Sequence, residues 1–200
     1  MFRRFTDIAV SAIALLLLCP LFVLIAAAIK LDSRGPVFYR GERAGVGGRR
    51  FRMWKFRTMR VGSDTAGSIT GRGDSRVTPL GRLLRRTKLD ELPQVINVLM
   101  GDMTLVGPRP ESPDIVEIYD PAQKRVLDVK PGVTGWVQLT VEEESDTFPE
   151  GVDPRAYYIE HVMDRKIQLD LRYQGVRSMW TDTWIVIRTA GRVARTVIRL

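Results

Sequence analysis

The chain has 200 residues, a formal net charge of +8 and a pI near 10.0. That length allows one domain with an appendage rather than two full domains, and the excess of Lys and Arg points to an anionic partner: nucleic acid, anionic lipid or a phosphorylated substrate. The single cysteine, Cys19, excludes an internal disulfide, and the single histidine, His161, argues against a His-based zinc centre; a bound metal would be a carboxylate- and phosphate-held ion such as magnesium or manganese.

Residues 8–29 form a run of 22 apolar residues interrupted only by Ser11 and Pro20. This is long enough to cross a hydrocarbon core of about 30 Å. Ala26-Ala27-Ala28 is the nearest approach to a signal-peptide cleavage site, and a retained segment fits better. Arg3 and Arg4 precede the run; Lys30, Arg34, Arg40, Arg43, Arg49, Arg50 and Arg52 follow it. Positive charge marks the cytoplasmic side, and here it marks both ends. Cys19-Pro20 sits at the middle, where a proline removes a backbone hydrogen bond and clashes with the preceding turn. These residues fit two arrangements: a bent helix that returns to the face it entered, and a single span that tolerates its proline.

Residues 32–36 read as a turn, and residues 37–40 and 49–58 as two strands around Gly41, Gly45, Gly47 and Gly48. The glycine cluster matches neither the nucleotide P-loop nor the dinucleotide fingerprint, so it reads as a hairpin turn. Period two puts Lys55 and Arg57 on one strand face and Trp54 and Phe56 on the other. The two cations suit a diphosphate or a solvated surface. Residues 62–74 read as a surface loop with the option of a lid. Thr78-Pro79 predicts a helix start, with Thr78 as N-cap and Pro79 in the first turn. Leu80, Leu83 and Leu84 then fall on one side, and Arg82, Arg85 and Arg86 around the other.

The stretch from Arg85 to Gln94 carries the strongest chemical signal. Asp90 and Glu91 stand just before Pro93, behind Arg82, Arg85, Arg86 and Lys88, and ahead of an apolar run that Gly101 stops. The pattern predicts a short helix with both carboxylates in its first turn. Helix dipole and cations then favour the ionised carboxylate. Such a group among phosphate-binding cations suits nucleophilic attack on phosphorus, although surface ion pairing produces the same pattern. Pro108 and Pro110 clamp Arg109 in an extended backbone; this presents a guanidinium for bidentate phosphate binding or simply makes a rigid loop. Residues 131–136 read as another turn. The acidic run at 142–146 reads as a solvated face, with a sugar or metal role as the lesser option. Residues 156–167 and the C-terminus read as helical. Arg188, Arg192, Arg195 and Arg199 recur on one stripe there, flanked by Val186, Ala190, Val193, Val197 and Leu200, with Trp180 and Trp184 upstream. That is the pattern of a helix lying on an anionic membrane surface, or of a core helix with a basic outer face.

Taken in order, the motifs resemble one family over nearly the whole chain: the monotopic phosphoglycosyl transferases, bacterial sugar transferases of polyprenyl-phosphate pathways. The resemblance rests on Asp32-Ser33-x-Gly35-Pro36-Val37-Phe38, Lys55-Phe56-Arg57-Thr58-Met59, Asp74-x-Arg76-x-Thr78-x-x-Gly81 and Leu89-Asp90-Glu91-Leu92-Pro93-Gln94. It continues through Asn97-Val98, Gly101-Asp102-Met103, Val106-Gly107-Pro108-Arg109-Pro110, Pro131-Gly132-x-Thr134-Gly135 and Leu169-Asp170-x-x-Tyr173, with Asp182 and Thr189 downstream. It implies an α+β, mostly helical fold: a re-entrant N-terminal membrane helix over residues 1–30, bent at Cys19-Pro20, and a small cytoplasmic catalytic domain over 31–200 with interfacial amphipathic helices. The protein would be monotopic, on the cytoplasmic face of the bacterial inner membrane. The implied reaction moves a sugar 1-phosphate from a UDP-sugar to a polyprenyl phosphate such as undecaprenyl phosphate, releasing UMP, as the first membrane step of a glycoconjugate pathway.

On that resemblance Asp90 is the nucleophile that forms an aspartyl phospho-sugar, and Glu91 its acid/base or metal-organising partner. Mg2+ bridges diphosphate oxygens near Asp90, and Lys55, Arg57, Arg85 and Arg109 neutralise phosphate charge. The implied partners are the UDP-sugar, the polyprenyl phosphate and membrane lipid, not nucleic acid. Two features depart from the family pattern. Cys19 stands where serine is common before the membrane proline. The residues after Gly135-Trp136 run Val137-Gln138-Leu139-Thr140 in place of a Gly-Arg-Asn stretch. Sugar, pathway and oligomeric state are not written in the sequence. Two other functions compete: a membrane-tethered basic binding module for anionic lipid or nucleic acid, and a membrane-bound phosphohydrolase.

Overall fold

The computed structural model describes residues 2–62, 74–140, 148–149 and 151–198. The acidic run at 142–146, most of the loop expected over 62–74, and Arg199 and Leu200 of the basic stripe lie outside the described residues. The described chain is mostly helical, with two small two-stranded sheets.

Helix α1 (Phe2–Asp32) is followed by an antiparallel hairpin of β1 (Phe38–Ala44) and β2 (Arg50–Phe56), with Phe38 opposite Phe56 and Ala44 opposite Arg50. A turn over Val46–Gly48 closes it, and the positive φ of Gly47 and Gly48 (61° and 79°) explains the glycines there. β1 reaches further into the glycine cluster than the sequence predicts, whereas β2 is shorter than predicted and ends before Arg57. Helix α2 (Pro79–Arg86) starts at the expected cap: Thr78 Oγ1 accepts the Gly81 N–H at 2.9 Å. It lies so close to the preceding segment that a Cβ on Gly81 would come 2.1 Å from the Thr58 carbonyl oxygen. A 3₁₀ turn (Leu89–Glu91) leads into α3 (Gln94–Met100), which ends on Gly101 at φ 94°. Then come β3 (Thr104–Val106), α4 (Pro113–Val116), β4 (Gly132–Thr134), parallel to β3, and α5 (Trp136–Thr140). Helix α6 (Pro154–Tyr157) passes through a π-helical turn (Tyr158–Val162) into α7 (Met163–Val176), and α8 (Met179–Ile198) ends the described chain.

Helix α1 is long and apolar enough to cross a membrane, and Pro20 lies inside it. One stripe faces the rest of the chain. Ser11, Ile25 and Ile29 are buried, and Ala14 and Leu18 between them line the cleft described below. Ile13, Leu16, Leu17, Val23 and Leu24 stay exposed on other faces. Both ends are tied to the same body. Arg4 donates from Nη1 to the Val98 carbonyl and from Nη2 to the Leu99 carbonyl at 2.9 Å, at the last turn of α3, where the Val98 oxygen also accepts the Gly101 N–H. Asp7 accepts the Thr104 hydroxyl at 2.7 Å and the Leu105 N–H at 3.1 Å, and Arg3 pairs with Asp182 of α8 at 3.3 Å. At the other end Ile25 and Ile29 pack with Phe56 and Leu84, and Leu89 joins that cluster. The N-terminal charges are therefore docking groups as well as charges flanking an apolar run. The helix that would meet lipid is packed against the residue next to Asp90.

The basic stripe of α8 is divided. Arg192 turns back onto α5, donating to the Gln138 carbonyl at 2.7 Å and the Leu139 carbonyl at 2.9 Å, where the last carbonyls of a short helix need donors. Arg188 lies over the Trp184 ring at 5.0 Å, and Trp180 is 86% exposed.

Candidate active site

Asp90 and Glu91 occupy the 3₁₀ turn, not the first turn of an α-helix as the sequence predicts; α3 begins at Gln94, after Pro93. The reason is Lys88, which adopts φ 60° and is the one non-glycine residue with positive φ among the described residues. It reverses the chain after α2, and Leu89, anchored against Ile25, Ile29 and Phe56, fixes the turn. Successive residues of such a turn point about 120° apart, since it has roughly three residues per turn. The two adjacent carboxylates therefore enter different surroundings.

Glu91 is the paired one. Its Oε1 lies 2.9 Å from Lys55 Nζ and 2.8 Å from Arg109 Nη2, and Arg109 Nη1 donates to Oε2 at 3.3 Å. Burial alone would raise the Glu91 carboxyl; Arg109 and Lys55 reverse this and hold it well below the usual carboxylate range. Burial lowers the Lys55 ammonium, with Glu91 opposing the shift. Asp90 is 6% exposed, and its Oδ1 has no hydrogen-bond partner. Burial pushes its carboxyl up to about 6, against the pull of Lys55 and with a further push from Glu91. The sequence argument had dipole and cations favouring ionised Asp90. In the fold, the neighbouring glutamate takes the close cations and burial governs the aspartate.

Asn97, fully buried on α3, sets the height of Lys55. Its Oδ1 accepts the Trp54 N–H at 2.9 Å, and its Nδ2 donates to the Arg52 carbonyl at 2.9 Å. The side chain thus acts as a strand partner for β2, one residue before Lys55. Arg85 reaches Thr58 Oγ1 at 2.9 Å and, with Lys88, acts on Asp90 electrostatically. Arg57 is placed differently from the expectation that it stands beside Lys55. Both of its Nη atoms donate at 2.7 Å to the Ser33 and Arg34 carbonyls, and Nη1 occupies the space where Gly35 would carry a Cβ. Arg57 fixes the turn after α1, because period-two alternation stops with the strand at Phe56. Cys19 is exposed and its neighbour Pro20 lies mid-helix in α1.

A cleft of about 1710 Å³ unites these groups. Asp90, Glu91, Lys55, Arg85, Lys88 and Arg109 give it a charged floor. Ala14 and Leu18 of α1, Leu105, Val137, and Val186 and Val193 of α8 give it an apolar flank. The arrangement can hold a polyanion and an apolar chain side by side, beside a carboxylate with one buried, unpartnered oxygen. Residues that the sequence argument did not single out as site groups also build it. Lys88 gave no signal of its left-handed backbone, Asn97 stands in the sequence only as a motif residue without a role, and Asp170, likewise only a motif residue, approaches the Arg109 backbone from α7.

A sequence profile described as "Bacterial sugar transferase" matches residues 1–196. The chain is 41% identical over 196 residues to a UDP-glucose:undecaprenyl-phosphate glucose-1-phosphate transferase of Xanthomonas campestris pv. campestris, covering 96% of this chain and 38% of the relative. It is 39% identical over 191 residues to a UDP-N-acetylgalactosamine-undecaprenyl-phosphate N-acetylgalactosaminephosphotransferase of Aeromonas hydrophila, covering 94% of this chain and 42% of the relative. It is 43% identical over 183 residues to the uncharacterized sugar transferase EpsL of Bacillus subtilis (strain 168), covering 90% of this chain and 82% of that protein. The chain spans about two-fifths of the length of the first two relatives. On the profile match and these relatives, the chain belongs to the bacterial sugar transferase family.

Proposed function

We propose that this chain transfers a sugar 1-phosphate from a UDP-sugar to undecaprenyl phosphate, releasing UMP, through a covalent phospho-sugar on Asp90. The observation that carries the reading is the unpartnered, buried Oδ1 of Asp90 beside a Glu91–Lys55–Arg109 array in a cleft with an apolar flank. Relatives named for transfer from UDP-glucose and UDP-N-acetylgalactosamine to undecaprenyl phosphate supply the substrate class. A polyanion-binding module leaves that open oxygen without a purpose.

The chemistry divides into two displacements. An Asp90 oxygen attacks the sugar-bearing phosphorus, the bond from that phosphorus to the bridging oxygen breaks, and UMP leaves with the electron pair. An oxygen of the lipid phosphate then attacks the same phosphorus, the aspartyl–phosphorus bond breaks, and the Asp90 carboxylate returns. Phosphoryl transfer needs positioning and charge neutralisation above all, and Lys55, Arg85 and Arg109 supply both. Glu91, held ionised by two cations, orients Lys55 and Arg109 and is a poor proton donor at neutral pH. Asp90, whose Oδ1 has no partner, is the residue that would hold a magnesium ion beside the diphosphate; among the described residues no group of three metal-binding side chains offers an all-protein site. When bound, magnesium neutralises diphosphate charge.

The same reading makes α1 re-entrant and the protein monotopic, on the cytoplasmic face of the bacterial inner membrane, with residues 1–30 as the membrane element and 31–200 as the catalytic domain. Support comes from the two ends of α1, which hold to one body through Arg4 and Asp7 at one end and Ile25 and Ile29 at the other. The exposed tryptophans of α8 suit the interface, and the lipid phosphate lies at that depth. In this reading the reaction begins assembly of a lipid-linked glycan.

Mass spectrometry tests the covalent step. Incubation with the correct UDP-sugar without lipid must release UMP and add one phospho-sugar to the peptide carrying Asp90. Asp90→Asn must abolish both. UMP release that needs lipid from the outset, with no adduct, refutes the two-step route.

A further inference from the structure

Beyond Arg109 the cleft continues into a polar wall for which the transfer step has no use. Glu111, Tyr158 and Lys166 line it and form one network. Tyr158 donates its hydroxyl hydrogen to Glu111 Oε2. Lys166 Nζ donates to the Tyr158 oxygen at 2.9 Å and lies 3.7 Å from Glu111 Oε2. Glu111 Oε1 accepts the Ser112 N–H at 3.1 Å. Tyr158 and Lys166 are 2% and 6% exposed, whereas the Glu111 side chain keeps 21%. The buried members therefore brace a carboxylate that still reaches the cleft. Burial would raise that carboxyl, but Lys166 and the Tyr158 hydroxyl overcome it and hold Glu111 below its ordinary value.

One observation and one general argument distinguish this network from a packing staple. Tyr158 opens the π-helical turn between α6 and α7, and an extra residue in a helical turn recurs at functional sites because it re-aims a side chain. A buried charged network is also a weak stabiliser compared with apolar packing of the same volume. Arg109 and Glu111 stand two residues apart on one loop, and both line the cleft. The group next to a phosphate held by Arg109 therefore meets the Glu111 end of the wall.

We infer that Glu111, braced by Tyr158 and Lys166, is the hydroxyl-binding subsite for the sugar of the nucleotide diphosphate sugar whose phosphates meet Arg109 and Lys55. The inference rests on the transferase reading for its substrate and adds the groups that select it. An ionised carboxylate accepts hydrogen bonds from the hydroxyls of a neutral hexose or N-acetylhexosamine. It repels the carboxylate of a uronic acid.

Equilibrium binding to the full chain in lipid nanodiscs tests this, using UDP, UDP-glucose, UDP-N-acetylgalactosamine and UDP-glucuronic acid as probes. The unaltered chain binds its preferred neutral UDP-sugar more tightly than UDP, and UDP-glucuronic acid more weakly than either neutral sugar. Glu111→Gln weakens the preferred UDP-sugar by about tenfold, as expected for one charge-assisted hydrogen bond, and leaves UDP unchanged. An unchanged preference for the UDP-sugar overturns the proposal. So does a loss that falls equally on UDP, which would place Glu111 against the ribose or in the fold alone. If Glu111→Gln does not fold, Glu111→Asp keeps the charge with a shorter reach; it must reduce the preference for sugar over UDP, and a retained preference overturns the proposal. The binding pattern without UMP release on adding undecaprenyl phosphate refutes the transferase reading and keeps the subsite; turnover without the pattern does the reverse.

Discussion

Asp90→Asn separates the chemistry of the buried carboxyl from its effect on stability. In the unfolded chain the group titrates at its ordinary 3.8, and in the fold at about 6. Between those values folding takes up a proton, so stability falls as pH rises through this window and is level above it. Fully developed, ionising Asp90 in the fold destabilises by about 3 kcal/mol. About half of that, roughly 1.4 kcal/mol, develops between about pH 5 and about pH 7.5. Asparagine does not titrate, and Glu91, held well below its ordinary value, stays ionised across the same range. Parallel thermal unfolding of the two proteins at both pH values should therefore show the gap moving in favour of Asp90→Asn as pH rises, by about 3–6 °C for a chain of this size. Any fixed penalty from the new amide cancels in the comparison. A gap that stays constant, or closes as pH rises, would mean that Asp90 is ionised throughout and that burial does not govern it.

Activity of the unaltered chain should fall on the acid side with a midpoint near 6, measured as UMP release at limiting UDP-sugar; an acid limb near 4 would separate the nucleophile from Asp90. Glu91→Gln leaves the half-buried Lys55 and Arg109 without their shared anion and should destabilise by about 2–3 kcal/mol in denaturant unfolding; a loss under about 1 kcal/mol would show the array to be solvated. Asn97→Leu strands the Trp54 N–H and the Arg52 carbonyl and should destabilise by about 2–3 kcal/mol, with activity falling through Lys55. For topology, Phe2→Cys and Arg60→Cys in a Cys19→Ser background should be labelled from the same side of sealed vesicles, and opposite sides would refute re-entry.

Much of the fold was legible where a local signal has a local cause. Thr78-Pro79 starts α2, Gly101 ends α3 and the glycine cluster turns the hairpin, because capping and positive φ are properties of a few neighbouring residues. Asp90, Glu91, Lys55 and Arg109 were legible as candidates, and the fold brings them to one cleft. Which carboxylate is paired was not legible, since that depends on a 3₁₀ turn set by the left-handed Lys88 and by packing of Leu89 on residues about 60 positions earlier. Arg57 and Arg192 looked like site and surface cations for a related reason. Charge and period say where a side chain starts, and the carbonyls that capture it come from Ser33, Arg34, Gln138 and Leu139.

The bonds that hold the first turns of α1 impose an order on biogenesis. Arg4 and Asp7 take partners 94 to 98 residues downstream, so they cannot close until the ribosome has delivered the chain past Leu105. During that interval the apolar run has already been made, with its polar start undocked. The docking of the first turns of α1 is therefore settled only once Leu105 has been translated, by folding of the segment that carries Val98, Leu99, Thr104 and Leu105, and a substitution there can misplace a helix that it leaves chemically untouched.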